Sequence, residues 1–264
     1  MRKDDIVLPR KDSDGNYYIS YSQISSFLSD KGFNTGLPGN LEYIQSYFLG
    51  KRWPDAGWAL FGSQVEDYIC YRDFPIEKVR EIDKQIGREG INTIEEALKS
   101  FNDSEKEVMN QIQPLGTFQG EVRLWIYDNV YVYGFIDDST DDFSIMRDYK
   151  TASLSSSKQY YTDKYKQLDI YSLYALQETG KIPDKLEVCV IERKGNCFGM
   201  ENRRDLLSVG KEVWWIEREV SKDKLEILKL HIEDTIKKIS DLYKIFLATN
   251  KSNLYETGKN KERG

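Results

Sequence analysis

The sequence has few of the residues that many classes of enzyme and metal site require. It contains one histidine, His231, and three cysteines, Cys70, Cys189 and Cys197, none of them in a Cys-x-x-Cys spacing. A single histidine argues against catalysis by a histidine pair or by a nucleophilic triad. Three cysteines without a pattern argue against a disulfide framework, a zinc ribbon or an iron–sulfur cluster. We therefore expect His231 to be structural and the cysteines to be ordinary thiols.

The sequence also lacks long apolar runs. None approaches the length of a membrane-spanning helix, and the N-terminal Met-Arg-Lys-Asp-Asp-Ile is not followed by the apolar core of a signal peptide. Hydrophobic residues make up 39% of the chain and charged residues 31%. This balance is typical of a globular chain with a substantial core and a polar surface. It predicts a cytoplasmic protein without a membrane partner.

Residues 130–151 have the pattern of two strands and a turn. A first arm rich in β-branched and aromatic residues is followed by a cluster of turn formers and a second apolar arm that ends in charge. Successive side chains on a strand point to opposite faces, so Asp148 and Lys150 share one face and Tyr149 takes the other. Asp137, at the end of the first arm, is expected beside Asp148.

Two converging carboxylates repel each other unless a proton or a cation lies between them. Oxygen ligands of this kind suit Mg²⁺ or Mn²⁺. Lys150 would add a cationic group at the same place, and the set could hold a phosphodiester, polarise it and orient a water molecule for in-line attack. The alternative without a catalytic role is a solvated cross-strand charge pair, which is the more common structure for Asp-x-Lys on a strand.

Four short motifs carry a resemblance to a known family. Gly-Phe-Ile-Asp at 134–137 and Asp-Tyr-Lys-Thr at 148–151 resemble the core motif of the PD-(D/E)xK nuclease superfamily, in the form carried by RecB-type exonuclease domains. Glu66, four residues after a glycine, matches the upstream helix motif of that group. Gln167 and Tyr171 match its downstream Gln-x-x-x-Tyr motif. The sequence departs from the family where an isoleucine replaces the motif proline and where the cluster-binding cysteines are absent.

The resemblance implies a fold, a reaction and a set of roles. The fold would be α/β, with a restriction-endonuclease-like mixed central β-sheet flanked by helices and interrupted by helical insertions. The activity would be a metal-dependent DNA exonuclease acting at DNA ends in recombination, repair or phage DNA processing, inside a bacterial or phage-infected cell. Asp137, Asp148 and Glu66 would hold Mg²⁺ or Mn²⁺. Lys150 would position water or stabilise developing charge, and Gln167 would contact the substrate backbone or fix the metal ligands.

Further residues are expected around this site. Glu121 begins a predicted strand and is either linked to the metal or a plain strand-end charge, and Tyr171 shares a helical stripe with Gln167. The net charge of −6 is unfavourable for DNA binding. A basic strip from Arg147 to Lys166 is expected to offset it locally. The nucleic-acid contacts expected within the strip are Lys158, Tyr160, Lys164 and Lys166.

The 264 residues are expected to form one domain. Its core spans about residues 21–220, with a helical insertion at about 75–113 and a C-terminal helix at about 221–248, followed by a frayed polar tail. A Ser-rich loop is expected at 152–162.

Two other functions remain open. One is a structure-specific or restriction-type endonuclease, and the other is a catalytically silent DNA-binding subunit of a recombination complex. DNA is the expected partner in every case, with a recombination protein as a further candidate.

Overall fold

The computed structural model describes residues 6–32, 35–51, 57–162, 165–197 and 203–261, with side chains described as far as residue 250. Contacts divide the chain into two compact units. The first comprises residues 1–53, 122–134 and 222–264, and the second comprises residues 54–121 and 135–221. The single-domain expectation stays a prediction. None of the helices in the described ranges has both the length and the apolar character needed to cross a membrane.

The α/β fold class predicted from the sequence is confirmed, because six strands form a mixed sheet and helices accompany it. Hydrogen bonding gives the order β1-β3-β4-β5-β6, with β2 also paired to β3. The β1/β3 and β4/β5 pairs are parallel, whereas β3/β4 and β5/β6 are antiparallel. The strands are β1 (Tyr17–Ser20), β2 (Thr117–Tyr127), β3 (Val130–Ser139), β4 (Ile145–Ala152), β5 (Lys185–Gly195) and β6 (Leu207–Arg218).

Helices occupy most of the remaining described residues. Short turns of 3-10 or π geometry cover Ile44–Phe48, Gly90–Asn92, Lys158–Tyr161 and Arg204–Leu206. The α-helices are α1 (Tyr21–Leu28), α2 (Gly39–Tyr43), α3 (Gly57–Tyr71), α4 (Ile76–Gln85), α5 (Ile94–Lys99), α6 (Asp103–Met109), α7 (Leu154–Ser157), α8 (Gln167–Thr179) and α9 (Lys222–Lys261).

In the first unit, β1, β3 and the second half of β2 alternate buried and outward-facing side chains. Val130 and Val132 of β3 are fully buried, as are the alternate positions of β2. Helix α9 buries Ile232 and Ile236, but His231 is exposed. The expectation that His231 has a structural role on the apolar stripe is therefore wrong.

In the second unit, the predicted helical insertion forms α4, α5 and α6. Phe61 and Ile69 of α3 share one buried cluster with Val79, Ile94 and Met109 of the insertion. Helix α3 carries the upstream motif with Glu66, and this packing holds the helix in place. The apolar spacing in the sequence anticipates the packing, because each helix of the insertion turns one stripe inward.

Several boundaries differ from the sequence-based expectations. The turn after β3 also takes in residues 143 and 144, with Phe143 in the left-handed region at φ 57°. The expected Ser-rich loop at 152–162 is α7 followed by a 3-10 turn, and Ser153 caps α7 by accepting the backbone N–H of Ser156. Helix α9 runs on to Lys261, beyond its expected end at about residue 248.

Candidate active site

The hairpin of β3 and β4 positions the two central carboxylates. Asp138 pairs with Arg147 in the antiparallel register, and continuing that register by one residue brings Asp137 opposite Asp148. Asp137 Oδ2 accepts the backbone N–H of Tyr149 at 2.8 Å. The sequence prediction that these two aspartates lie side by side matches this geometry.

Lys150 lies between the two aspartates. Its Nζ is 2.6 Å from Asp148 Oδ2 and 3.9 Å from Asp137 Oδ2, and its side chain is 25% exposed. Asp148, by contrast, is 1% exposed. The cluster is therefore buried on the side of Asp148 and reaches solvent on the side of Lys150.

A tyrosine completes the contacts of Asp148. The Tyr165 hydroxyl donates to Asp148 Oδ2 at 2.5 Å, while Asp148 Oδ1 is buried with no hydrogen-bond partner among the described residues. A buried carboxylate oxygen without a donor is costly unless something else satisfies it. The arrangement leaves one oxygen of Asp148 available for a cation or a donor.

Glu66 comes to the cluster from α3. It is half-buried, and its Oε1 accepts the side-chain N–H of Gln119. A Cβ added at Gly62 would lie 3.4 Å from Thr151 Oγ1, so α3 runs close to β4 at this point. The Gly-x-x-x-Glu spacing therefore has a local reason, because the glycine faces the strand one turn before the glutamate.

Burial and like charge perturb the acidic groups of the cluster. Desolvation raises the pKa of Asp137 to about 7, with repulsion from Asp148 adding to the effect and Lys150 opposing it. The pKa of Glu66 is raised well above its usual value by desolvation and by Asp137 and Asp67. Burial lowers the pKa of Lys150, but attraction to the neighbouring carboxylates outweighs burial and raises it overall. Lys150 therefore keeps its proton at neutral pH.

The structure brings the downstream motif to the same place. Gln167 is the first residue of α8, and its Nε2 donates to the Tyr171 hydroxyl at 3.4 Å. Its Oε1 accepts from Tyr165 at 3.4 Å. Burial raises the pKa of Tyr171, and the charges of Asp148 and Asp137 raise it further. Gln167 thus reaches the cluster through the hydroxyl of Tyr165.

The expected nucleic-acid contacts differ in their surroundings. The Tyr160 ring meets that of Tyr165 edge to face at 5.3 Å, and Lys158 is exposed on the 3-10 turn. Lys166 pairs with Asp169 at 3.4 Å. Lys164, the fourth expected contact, lies outside the described residues.

Arg147 does not belong to a basic strip, and that expectation is wrong. Its guanidinium is on the opposite face of β4 and bonds Glu187 Oε2 at 2.8 and 3.1 Å. It also donates to the backbone oxygen of Gln113 at 2.7 Å. Asp138, on the same face, accepts the backbone N–H of Leu115 at 2.8 Å and the hydroxyl of Tyr149 at 2.8 Å. This face of the hairpin is a buried structural network.

Sequence reasoning missed two residues that touch the cluster, Gln119 and Tyr165. Gln119 lies two positions before Glu121, the residue expected from the strand pattern, and adopts a left-handed φ of 51°. Glu121 is exposed on β2. The charge of Glu121 acts instead on Tyr174, whose pKa is raised by burial, by Glu178 and by Glu121. The structure therefore brings Gln119, not Glu121, to the cluster.

The donor set fits a hard divalent cation in its chemistry. Three carboxyl groups converge, two of them with raised pKa values, and a buried oxygen of Asp148 lacks a donor. Within the described part of the chain, no three carboxylate, histidine or cysteine side chains already have the geometry of a metal site. The ammonium of Lys150 lies between the two aspartates.

Comparison with known proteins identifies no family for this chain. No protein-family model matches the chain, and no curated protein matches it. A crystal structure of an Eubacterium rectale protein, provisionally named an exonuclease, is similar over 83% of this chain and 84% of that one, with 14% identity and a TM-score of 0.42. A likeness at this level is too weak to transfer a function.

Proposed function

We propose that this chain is a divalent-metal-dependent nuclease that hydrolyses phosphodiester bonds in DNA. The observation that supports this most directly is the convergence of Asp137, Asp148 and Glu66 around the ammonium of Lys150, with the nitrogen 2.6 Å from Asp148. Buried acidic groups with raised pKa values beside a lysine are a costly arrangement that is typical of functional sites.

The carboxylates would hold Mg²⁺ or Mn²⁺, which would polarise the phosphodiester and lower the pKa of the attacking water. Lys150 lies where the two carboxylates converge, and its side chain is 25% exposed, so it would face a bound phosphodiester. Since its raised pKa keeps it charged, it would stabilise the negative charge that develops on the phosphate oxygens.

The remaining contacts suit a positioning role. Tyr165 holds Asp148 by its hydroxyl, and Gln119 holds Glu66 by its amide. Partners of this kind orient metal-binding side chains and tune their basicity. Gln167 and Tyr171 border the same cluster and are the proposed contacts to the substrate backbone.

The finer assignment, an exonuclease acting at DNA ends in recombination, repair or phage DNA processing, rests on the four motifs shared with RecB-type domains. The same site chemistry would serve an endonuclease. The choice between the two is therefore a matter for the substrate test.

The decisive experiment compares linear and covalently closed circular duplex DNA, each with Mg²⁺, with Mn²⁺ and with a chelator. The wild type is measured beside Lys150→Ala and beside Lys181→Ala, which removes an exposed lysine from the loop after α8. Loss of linear DNA alone, abolished by the chelator, is the expected result. Lys150→Ala should lower the rate by at least about 10²- to 10³-fold, the order found when one preorganised electrostatic group is lost.

Cleavage of the closed circle would replace the exonuclease with an endonuclease. Absence of cleavage of either DNA with either metal, from a folded wild type that binds DNA, would overturn the enzyme and favour the silent binding subunit. Equal rates for Lys150→Ala and Lys181→Ala would remove the site from the proposed function even if cleavage occurs.

A further inference from the structure

The outward face of β1, β2 and β3 in the first unit carries a group of aromatic and cationic side chains that the candidate active site does not use. Their neighbours along each strand, such as Ile19, Leu124 and Val132, are buried, so the alternate side chains turn outward. We call the group the tyrosine face, and its members are Tyr18, Tyr131, Tyr133, Arg123 and Trp125.

The rings of the tyrosine face contact each other directly. Tyr18 of β1 pairs with Tyr131 of β3 in the parallel register, and their rings stack with centroids 5.8 Å apart and planes 23° apart. Tyr133 meets Tyr18 edge to face at 6.2 Å. Trp125 is 44% exposed on the adjoining strand. The rings of β1 and β3 therefore form one group in mutual contact, and Trp125 adds an exposed ring on β2.

Positive charge lies over these rings. The guanidinium of Arg123 is 4.7 Å from the ring centroid of Tyr131 and 5.4 Å from that of Tyr18. Arg10 lies 5.4 Å from the ring centroid of Tyr133. Contacts of this kind orient a guanidinium without neutralising it.

The cations of this face are not paired with carboxylates. Arg10 and Arg123 form no ion pair within the described residues. The nearest acidic contact of the face is Asp12, which accepts the Tyr18 hydroxyl at 2.9 Å and is otherwise bonded to Asn16. In a chain of net charge −6, unpaired cations grouped over tyrosine rings complement a polyanion.

Aromatic rings and cations on an open sheet face suit a flexible polyanion that carries flat, apolar groups. Single-stranded nucleic acid has both properties, since its bases stack on aromatic side chains or guanidinium planes and its phosphates bind cations. A duplex does not offer its base faces in this way. We propose that the tyrosine face is a binding site for single-stranded nucleic acid, held by base stacking on the tyrosines and by phosphate contacts to Arg123 and Arg10.

This site goes beyond the proposed nuclease function and does not depend on it. Binding is therefore tested without catalysis, in the presence of a chelator. The probe is a fluorescein-labelled oligodeoxythymidylate of about 15 nucleotides, close to the largest number of nucleotides that one oligonucleotide-binding fold covers. Fluorescence anisotropy gives its Kd for the wild type, Arg123→Gln, Tyr131→Leu and the control Arg80→Gln.

Arg80→Gln is a matched control because it removes the same charge from an exposed arginine of α4 that pairs with Glu95. We expect Arg123→Gln and Tyr131→Leu to weaken binding by about fivefold to a hundredfold, the range found when one base no longer stacks. Arg123→Gln should also lower the slope of log Kd against log salt, by about 0.7 for each phosphate that the arginine neutralises. Arg80→Gln should bind as the wild type does.

Circular dichroism confirms that each variant is folded, and Arg123→Gln keeps the test valid if Tyr131→Leu is not. Equal affinity of Arg123→Gln and Arg80→Gln would overturn the proposal, as would absence of binding by the wild type. Equal competition by a duplex of the same length would also overturn it, because a duplex conceals its base faces. If the protein cleaves DNA in the separate metal assay but its binding does not depend on Arg123, this site is refuted and the nuclease proposal stands. If binding depends on Arg123 but no DNA is cleaved, only the nuclease proposal is refuted.

Discussion

Asp137 and Asp138 are adjacent in the sequence, yet their surroundings predict opposite effects of the same substitution. Asp137 faces Lys150 and the other acidic groups. Asp138 faces the core and accepts donors from Leu115, Gly116 and Tyr149. Replacing each aspartate by asparagine removes the charge and keeps the size, so the pair forms an internal control.

For Asp137→Asn we expect activity to fall and stability to rise. Burial raises the pKa of Asp137 from 3.8 to about 7. The folded state therefore holds the proton more tightly than the unfolded chain does. In the absence of metal, protonated Asp137 therefore contributes its full share of the folding stability below about pH 4, and this contribution is lost as the pH rises to about 7. At about 1.4 kcal/mol for each pH unit between the two values, the neutral asparagine should raise the free energy of unfolding at pH 8 by up to about 4 kcal/mol. The nuclease rate should fall by about 10²- to 10³-fold.

For Asp138→Asn we expect the reverse pattern. Burial raises the pKa of this carboxyl too, but both of its oxygens accept hydrogen bonds. An asparagine amide would place N–H groups against the backbone N–H groups of Leu115 and Gly116, leaving at least one buried donor unsatisfied. The free energy of unfolding should fall by about 1 to 3 kcal/mol. The rate per folded molecule should stay within about tenfold of the wild type.

Urea denaturation in a chelator at pH 5 and pH 8 measures the stabilities, and degradation of linear DNA with Mg²⁺ measures the rates. The wild type should lose stability between the two pH values relative to Asp137→Asn. If Asp137→Asn is the less stable variant at pH 8, or if Asp138→Asn loses as much activity per folded molecule as Asp137→Asn, the assignment of the two faces is refuted.

Three further predictions concern single contacts. Arg147→Met should lower the free energy of unfolding by about 1 to 3 kcal/mol, because it removes the guanidinium from the buried carboxylates of Glu187 and Asp138 while Lys185 still pairs with Glu187. A shift of the urea midpoint measures this, and an unchanged midpoint would contradict it. Tyr165→Phe removes the donor to Asp148 and should weaken Mg²⁺ affinity or activity by about 10- to 100-fold. A metal titration of the activity tests this, and a wild-type response would exclude a positioning role for Tyr165. Since Asp137 must lose its proton to bind a cation, Mg²⁺ affinity measured by calorimetry should strengthen as the pH rises from 5 through about 7. An affinity that does not change from pH 5 to pH 8 would contradict this role of Asp137.

The parts of the site predicted from the sequence are those set by strand alternation. The turn formers and the period of two place Asp148 and Lys150 on one face, and the structure has them there. The same rule puts Arg147 on the opposite face. The prediction of a basic strip counted the charge of Arg147 but not the direction of its side chain. The side chain points to the opposite face of the strand and makes a buried contact with Glu187.

Other contacts have no signal in a single sequence. Tyr165 reaches Asp148 across 17 positions, and no local propensity reports a contact over that separation. Gln119 reaches Glu66 only because its backbone leaves the extended region. The resemblance to RecB-type sequences, which often have a glutamate at the start of this strand, drew attention to Glu121 instead. Long-range and irregular contacts are set by tertiary packing, which a single sequence does not reveal.

The left-handed backbone of Gln119 bears on how this protein can change. A non-glycine residue at φ 51° carries a conformational cost of about 1 to 2 kcal/mol, which glycine would largely avoid. Glycine, however, has no amide to hold Glu66. Selection for thermal robustness alone would therefore favour glycine at this position and release the glutamate. Persistence of glutamine among related sequences would indicate that the protein retains a less stable fold for the sake of an oriented carboxylate.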